Sequence, residues 1–238
     1  MENILEVKSL SKHFGGFTAL SDVTLSVAKG ERLGLIGPNG SGKTTLINCI
    51  SGALFNDTGD VYFKGQNMAR LAPNARTLRG IARSFQIPRP FASMTVRENL
   101  LVPLAYVRSV FGNKANAEAD ALLGDMGLSD RAEVLSSQLS QVELRKMELA
   151  RAMAAGPDLL ISDEAMAGLS GAEVNEVLEI LFKLNAKGIT IIMIEHIMHA
   201  VMKFSQRVVC LDAGQIICEG SPQDVVANEY VQRAYLGD

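Results

Sequence analysis

The run Gly37-Pro38-Asn39-Gly40-Ser41-Gly42-Lys43-Thr44 combines flexible backbone with one amine and a terminal hydroxyl. It fits the pattern G-x-x-x-x-G-K-[ST], a loop that cradles phosphate. Glycines let backbone N–H groups turn inward around phosphate oxygens, and a following helix adds its positive N-terminal end. In that arrangement Lys43 reaches the β- and γ-phosphates. The Thr44 hydroxyl is placed for Mg2+, with Thr45 next in the nucleotide-binding set. A second candidate is Leu159-Leu160-Ile161-Ser162-Asp163-Glu164, an apolar strand ending in two carboxylates about 120 residues after Lys43. At the C-terminal edge of a parallel strand, Asp163 can enter a Mg2+ shell and Glu164 can polarise an attacking water. An accidental glycine-rich turn and a strand-end acidic pair are the bland alternatives. The flanking strand and helix favour phosphate chemistry. Phosphate binding alone does not choose among kinase, GTPase, recombinase and transport ATPase.

These residues need strands and helices to hold them, and the periodicities supply both. Ile4–Leu10 and Val23–Val27 alternate as strands, and the apolar Arg32–Ile36 leads into the glycine loop. Asp60–Phe63 and Ile81–Phe85 read as further strands, and Thr44–Ile50 as the helix after the loop. From Pro88 to Ala155 the pattern is helical. Thr95-x-x-Glu98 opens a helix through Tyr106, Ala115–Met126 ends at Gly127, and Ser140–Ala155 stops at Gly156-Pro157. The last third alternates. Strand Leu159–Ser162 is followed by a helix capped by Ser170-x-x-Glu173, with Val174, Val177, Leu178, Leu181 and Leu184 on one face. Thr190–Ile194 is a continuous apolar strand, as a sheet buried on both faces requires. Val208–Leu211 and Gln215–Glu219 form a hairpin around Ala213-Gly214, and Ser221-Pro222 starts a terminal helical segment. An α/β core interrupted by a helical insertion accounts for this order.

The chain has 238 residues and a net charge of −3, which argues against a strongly basic nucleic-acid binder. Hydrophobic residues make up 47%, enough for a full core. The three cysteines, Cys49, Cys210 and Cys218, form no C-x-x-C and fit a reducing compartment. Cys210 and Cys218 flank a turn and could face each other; a pair of buried free thiols is the favoured reading. No apolar run approaches the ~18 residues of a membrane span, and MENILEV is no signal peptide. The expectation is a soluble, cytoplasmic chain, with a membrane partner still open.

Taken together the motifs resemble the nucleotide-binding subunit of an ATP-binding-cassette (ABC) transporter. Phe14 sits where that family stacks an aromatic ring on adenine. Gln86, ending Ser84-Phe85-Gln86, matches the glutamine loop that touches Mg2+ and faces the membrane subunit. Gly168-Leu169-Ser170 resembles the dimer-facing loop, and His196 the switch histidine near the γ-phosphate. His13 and His199 match no motif and read as surface or satisfied residues. A finer resemblance, carried by Gly80–Gln86, Ile194-Glu195-His196 and Ala234-Tyr235-Leu236-Gly237, is to the branched-chain amino acid uptake ATPases. The resemblance implies a P-loop NTPase (RecA-like) core with an antiparallel β lobe, formed by residues 1–87 and 156–238. The inserted helical, signature-bearing subdomain is 88–155. It implies ATP and Mg2+ and a second ABC ATPase subunit, as homo- or heterodimer. It further implies two integral membrane permease subunits and, indirectly, a periplasmic binding protein. The chain is then peripheral on the inner face of the cell membrane. Lys43, Glu164 and His196 are the expected catalytic residues. Phe14, Gly37 to Thr45, Gln86 and Ser140 are expected to touch nucleotide. Thr44, Gln86 and Asp163 are expected to hold the metal.

One motif departs from the family. Where Leu-Ser-Gly-Gly-Gln or Leu-Ser-Tyr-Gly-Gln is usual, this chain has Leu139-Ser140-Gln141-Val142-Glu143. Ser140 remains, Val142 adds a branched side chain where glycine permits close approach, and Glu143 adds a negative charge. Ser140-x-x-Glu143 still makes a capping box. The expectation is a helix that survives while its anion site is weakened, and an asymmetric heterodimer. Ala165, in place of a usual proline, and Ile197, where this branch often has Asp, are smaller departures. A nucleotide-binding structural subunit with little hydrolysis and a soluble non-transport ABC ATPase are the rival readings.

Overall fold

The computed structural model describes residues 2–85 and 88–236. In chain order the elements are β1 (Asn3–Phe14), β2 (Phe17–Ala28), β3 (Arg32–Ile36), α1 (Lys43–Ser51), β4 (Thr58–Phe63), β5 (Gln66–Asn67), α2 (Pro73–Thr77) and β6 (Ile81–Ser84). There follow α3 (Val96–Tyr106), α4 (Gly112–Asp125), α5 (Gln141–Ala154), β7 (Leu159–Asp163), α6 (Gly171–Ala186) and β8 (Thr190–Ile194). The chain ends with α7 (Met198–Phe204), β9 (Arg207–Asp212), β10 (Gln215–Gly220), α8 (Pro222–Ala227) and α9 (Glu229–Leu236). They form two units, residues 1–76 with 190–238, and residues 77–189.

The first unit contains two sets of strands. β2, β1, β4 and β5 make an antiparallel sheet in that order. In the other set β3 lies between β8 and β9, parallel to both, and β10 runs antiparallel to β9. Leu33, Leu35 and Ile36 of β3 are fully buried, and so is every residue of β8. The terminal segments complete this core: Val201 of α7, Val225 of α8 and Val231 of α9 pack with Ile36, Val208 and Cys210. β1 is longer than its alternating stretch. Ser9 takes φ 47° at a register shift, and pairing with β2 carries the strand on through the polar Ser11-Lys12-His13.

The second unit holds the parallel pair β6 and β7, with Ser84 opposite Ser162, and helices α3 to α6. Its helix starts follow local chemistry. Thr95, Ser140 and Ser170 each accept the N–H of a glutamate three residues on, and each glutamate returns the bond to the cap N–H. α6 buries Val174, Val177, Leu178, Leu181 and Leu184, the face its spacing predicts. The short α2 and α7 have no periodicity long enough to announce them. The segment expected as a helical insertion, 88–155, lies wholly within this unit. Among the described residues no helix is long and apolar enough to cross a membrane.

Cys210 and Cys218 are register partners across the β9–β10 hairpin, and both are free thiols. Cys210 is buried and Cys218 half-buried, and burial pushes the Cys210 thiol up to about 12. The hairpin turns through Ala213 and Gly214, both at positive φ, as a two-residue turn of primed type requires.

Candidate functional site

β3 delivers the glycine loop from a strand that is buried from Leu33 to Ile36. Gly37 has φ 148°, and a Cβ there would lie 2.0 Å from the Leu211 carbonyl oxygen. Gly42 has φ 106°, and its Cβ would lie 2.7 Å from the Ala19 carbonyl oxygen. Both positions demand glycine by backbone angle and by space. Gly42 is also the N-cap of α1, and no side chain caps that helix. With no acidic residue in its first turn, the N-terminus of α1 presents its N–H groups and positive dipole end to the loop. Thr44 is exposed and Thr45 half-buried at this end. Lys43 is buried, and its Nζ donates to the carbonyls of Gly37 at 2.7 Å and Pro38 at 2.9 Å. The amine is thereby held inside the loop. The other end of α1 is fixed by Arg76, 1% exposed, whose Nη1 donates to the Cys49 and Ile50 carbonyls. A cation at those carbonyls complements the negative end of the helix dipole.

His196 belongs to the same unit. Leu35 of β3 is opposite Ile194 of β8 in a parallel register, so Gly37 and His196, each two residues further on, leave the strands at one edge. His196 is exposed, and Glu195 before it is buried. Phe14 also lies in this unit, 47% exposed at the end of β1, with Lys12 Nζ 5.5 Å from its ring centroid. Lys12 is held by Asp57 at 2.7 Å. His13 and His199 are exposed, and His13 Nδ1 lies 3.1 Å from Thr18 Oγ1.

In the second unit β7 ends at Asp163, which is 8% exposed. Arg83, on β6 opposite Ile161, donates to Asp163 Oδ2 from Nη2 at 2.6 Å and from Nε at 3.2 Å. Nothing in the sequence pattern singled out Arg83; its role depends on strand pairing. Glu164 takes φ 47°, a left-handed conformation uncommon for a residue with a side chain and frequent at functional sites. The turn that follows is closed by Ala167 N–H to Glu164 O. Gln86 and its metal and nucleotide assignments lie outside the described residues. Mg2+ is a hard cation that takes oxygen donors, few of them from protein. The Thr44 hydroxyl and the Asp163 carboxylate are donors of that class, so these residues fit the ion.

The segment Ser140–Glu143 opens α5. Glu143 Oε2 accepts the Ser140 N–H at 2.8 Å, and Arg131 Nε donates to Oε1 at 2.7 Å. The Ser140 N–H holds the Glu143 carboxyl below the usual carboxylate range, and Arg131 adds to this. The helix start is thus closed by its own side chains, unlike that of α1. Gln141, standing where the family has glycine or tyrosine, donates to the Ala167 carbonyl at 3.3 Å and lies over Gly168. That link between α5 and the loop after β7 was not visible in the sequence.

The family profile described as ABC transporter matches residues 20–167, and one described as branched-chain amino acid ATP-binding cassette transporter matches 215–238. The chain is 36% identical over 245 residues to a probable branched-chain amino acid transport ATP-binding protein LivG of Archaeoglobus fulgidus, covering 98% of this chain and 95% of the relative. Its fold matches a crystal structure of the ADP conformation of an ATP-binding cassette of an ABC transporter, with a TM-score of 0.92, 33% identity and full coverage of both chains. It also matches a dimeric post-hydrolysis state of an ATP-binding cassette bound to ADP and Pi, with a TM-score of 0.83 and 25% identity over 92% of this chain and 98% of the other. With a phosphate loop, an acidic strand end and this likeness over the whole length, the chain belongs to the ABC transporter family as an ATP-hydrolysing subunit of the branched-chain amino acid group.

Proposed function

We propose that this chain powers an importer of branched-chain or other hydrophobic amino acids by hydrolysing ATP without touching the transported molecule. The observation that carries the reading is the phosphate loop. Its glycines are required by angle and space, and the helix it opens has no side-chain cap. The loop N–H groups and Lys43 bind the phosphates of ATP, the amine exchanging its carbonyl partners for phosphate oxygens. Thr44 and Asp163 would hold Mg2+, with Gln86 assigned to it by family motif. When bound, the ion would supply neutralisation of the phosphate charge. Glu164 accepts a proton from the attacking water, and His196 orients that water. Water adds to the γ-phosphorus, the bond to the β-phosphate oxygen breaks, and ADP and phosphate leave.

The working unit is a pair of cassettes on the cytoplasmic side of two membrane permeases, fed by a periplasmic binding protein. The dimeric cassette to which the chain is similar supports the pairing. Phe91, 43% exposed, and Arg89 mark the seat for a permease helix. Arg151 steadies them, donating to the Arg89 carbonyl at 3.0 Å and lying 5.4 Å from the Phe91 ring centroid. The pair is a heterodimer. Gln141, Val142 and the self-capped Ser140–Glu143 leave this chain's signature poorly suited to a partner's γ-phosphate, so the partner supplies an intact one.

The test is ATP turnover by the purified chain alone and with a co-expressed second cassette. The expected result is slow turnover alone and strong stimulation by the partner. Robust cooperative turnover by the chain alone removes the heterodimer, and no turnover in either case supports a structural subunit. Leucine uptake in vesicles carrying the full assembly tests the substrate class.

A further inference from the structure

Cys210 on β9 and Cys218 on β10 are opposed because the hairpin contains a register shift. Ile216 pairs with Leu211, so an unbroken ladder would set Ile217 against Cys210. The shift between Ile216 and Cys218 sets Cys218 there instead. Both side chains pack in one apolar cluster with Ile36, Val201 and Val225. Directly opposed residues of an antiparallel pair have Cα atoms about 4.5–5.5 Å apart, inside the ~4.4–6.8 Å that a disulfide spans.

The same hairpin is fastened to the phosphate loop. At its turn, the Gly214 N–H donates to the Ser41 carbonyl at 2.9 Å. The Leu211 carbonyl oxygen lies 2.0 Å from where a Cβ on Gly37 would be. A covalent link at Cys210 therefore acts one residue from a wall of the loop.

We propose that Cys210 and Cys218 are a site of oxidative modification, closed to a disulfide by hydroperoxides, and that closure weakens ATP binding at the neighbouring loop. The second half rests on the proposed binding of ATP around Lys43. Cys218 is half-buried and meets the oxidant; Cys210 is buried. The Cys218 sulfur attacks one peroxide oxygen, the O–O bond breaks, and the departing hydroxide leaves as water with the thiol proton. The Cys210 sulfur then attacks the resulting sulfenic acid at sulfur. The S–S bond forms, the S–O bond breaks, and hydroxide leaves as water with the Cys210 proton. Two thiols lose two electrons in all, and one hydrogen peroxide becomes two waters. Burial, and then the neighbouring Cys218, raise the Cys210 thiol, so the second step is slow and closure takes sustained peroxide. The link stiffens β9 against β10 and holds Leu211 at Gly37, which opposes adjustment of the loop to phosphate.

The experiment treats the full chain with hydrogen peroxide and reads intact mass, peptide maps and equilibrium ATP binding, before and after dithiothreitol. The expected product has lost two hydrogens and carries a cross-link joining Cys210 to Cys218. Its thermal midpoint is expected to rise by about 5 °C. Its ATP affinity is expected to fall about tenfold, within the usual range of coupling between two sites. Dithiothreitol is expected to reverse all of these. Cys218→Ser and Cys210→Ala are each expected to bind ATP as the parent does and to keep that affinity in peroxide, and Cys49→Ser to respond as the parent does. Sulfinic acid at Cys218 without a cross-link overturns the modification site. A cross-link with unchanged ATP affinity overturns its control of the loop, as does a loss of affinity that persists in Cys218→Ser. A reduced chain that binds no ATP overturns the reading of the loop itself, and the cross-link is still read by mass, which separates the two failures.

Discussion

Arg83 donates two hydrogen bonds to a single oxygen of Asp163, and both side chains are 11% exposed. The arginine holds the carboxylate at the end of β7. Removing one member of such a pair strands the other charge. Arg83→Met is expected to cost about 3 kcal/mol of stability, read from urea unfolding, and Arg83→Lys to cost less. Equal unfolding curves for Arg83→Met and the parent chain would show the pair to be neutral.

Lys43 is buried and bonded to the loop carbonyls of Gly37 and Pro38. Lys43→Ala removes a charge-assisted contact to phosphate, worth about 1.5–3 kcal/mol. The expected loss of ATP affinity is roughly tenfold to a hundredfold, measured by equilibrium binding.

Glu164→Gln keeps size and shape and removes the base. Turnover is expected to fall by about two to four powers of ten, the usual worth of a general base. ATP affinity is expected to stay within a few-fold. Parallel loss of binding and turnover would place Glu164 in binding instead.

Glu143 gives a pH dependence with a definite sign. The Ser140 N–H, and then Arg131, favour its charged form, so its folded-state pKa lies below the unfolded one. Its contribution to stability is complete above the ordinary glutamate range and is lost as pH falls through the lowered value. Glu143→Gln is therefore expected to be less stable than the parent at neutral pH, with the gap closing in acid. Ser140→Ala is expected to cost about 1 kcal/mol as a lost cap. Urea titrations across pH check both.

Gln141 stands where the family has glycine or tyrosine and Val142 where it has glycine, and Gln141 ties the start of α5 to the Ala167 carbonyl. Restoring glycine at both positions is expected to raise turnover by the isolated chain, with a steeper dependence on protein concentration. Unchanged turnover would show that Ser140 and the backbone already suffice.

Local chemistry was readable where it is local. The boxes at Thr95, Ser140 and Ser170 lie within four consecutive residues each, and all three close as their spacing demands. The strand Thr190–Ile194 has the expected bounds and is wholly buried. α2 escaped notice because five residues beginning at Pro73 carry no period. β6 stops at Ser84 rather than Phe85, and Phe85 stays exposed, with Arg83 5.3 Å from its ring centroid.

The sequence by itself determined the phosphate loop, the acidic strand end and the caps, because each depends on neighbours along the chain. It also revealed the altered signature, since a missing glycine needs no coordinates to be seen. Only the tertiary structure decided which side chains meet from afar. Arg83 finds Asp163 through the pairing of β6 with β7, and Gln141 finds Ala167 through the packing of a helix start against a loop. Gly42 must be glycine because Ala19, from another strand, occupies the space of its side chain. Contacts between residues distant in sequence arise from register and packing, and no short pattern records them.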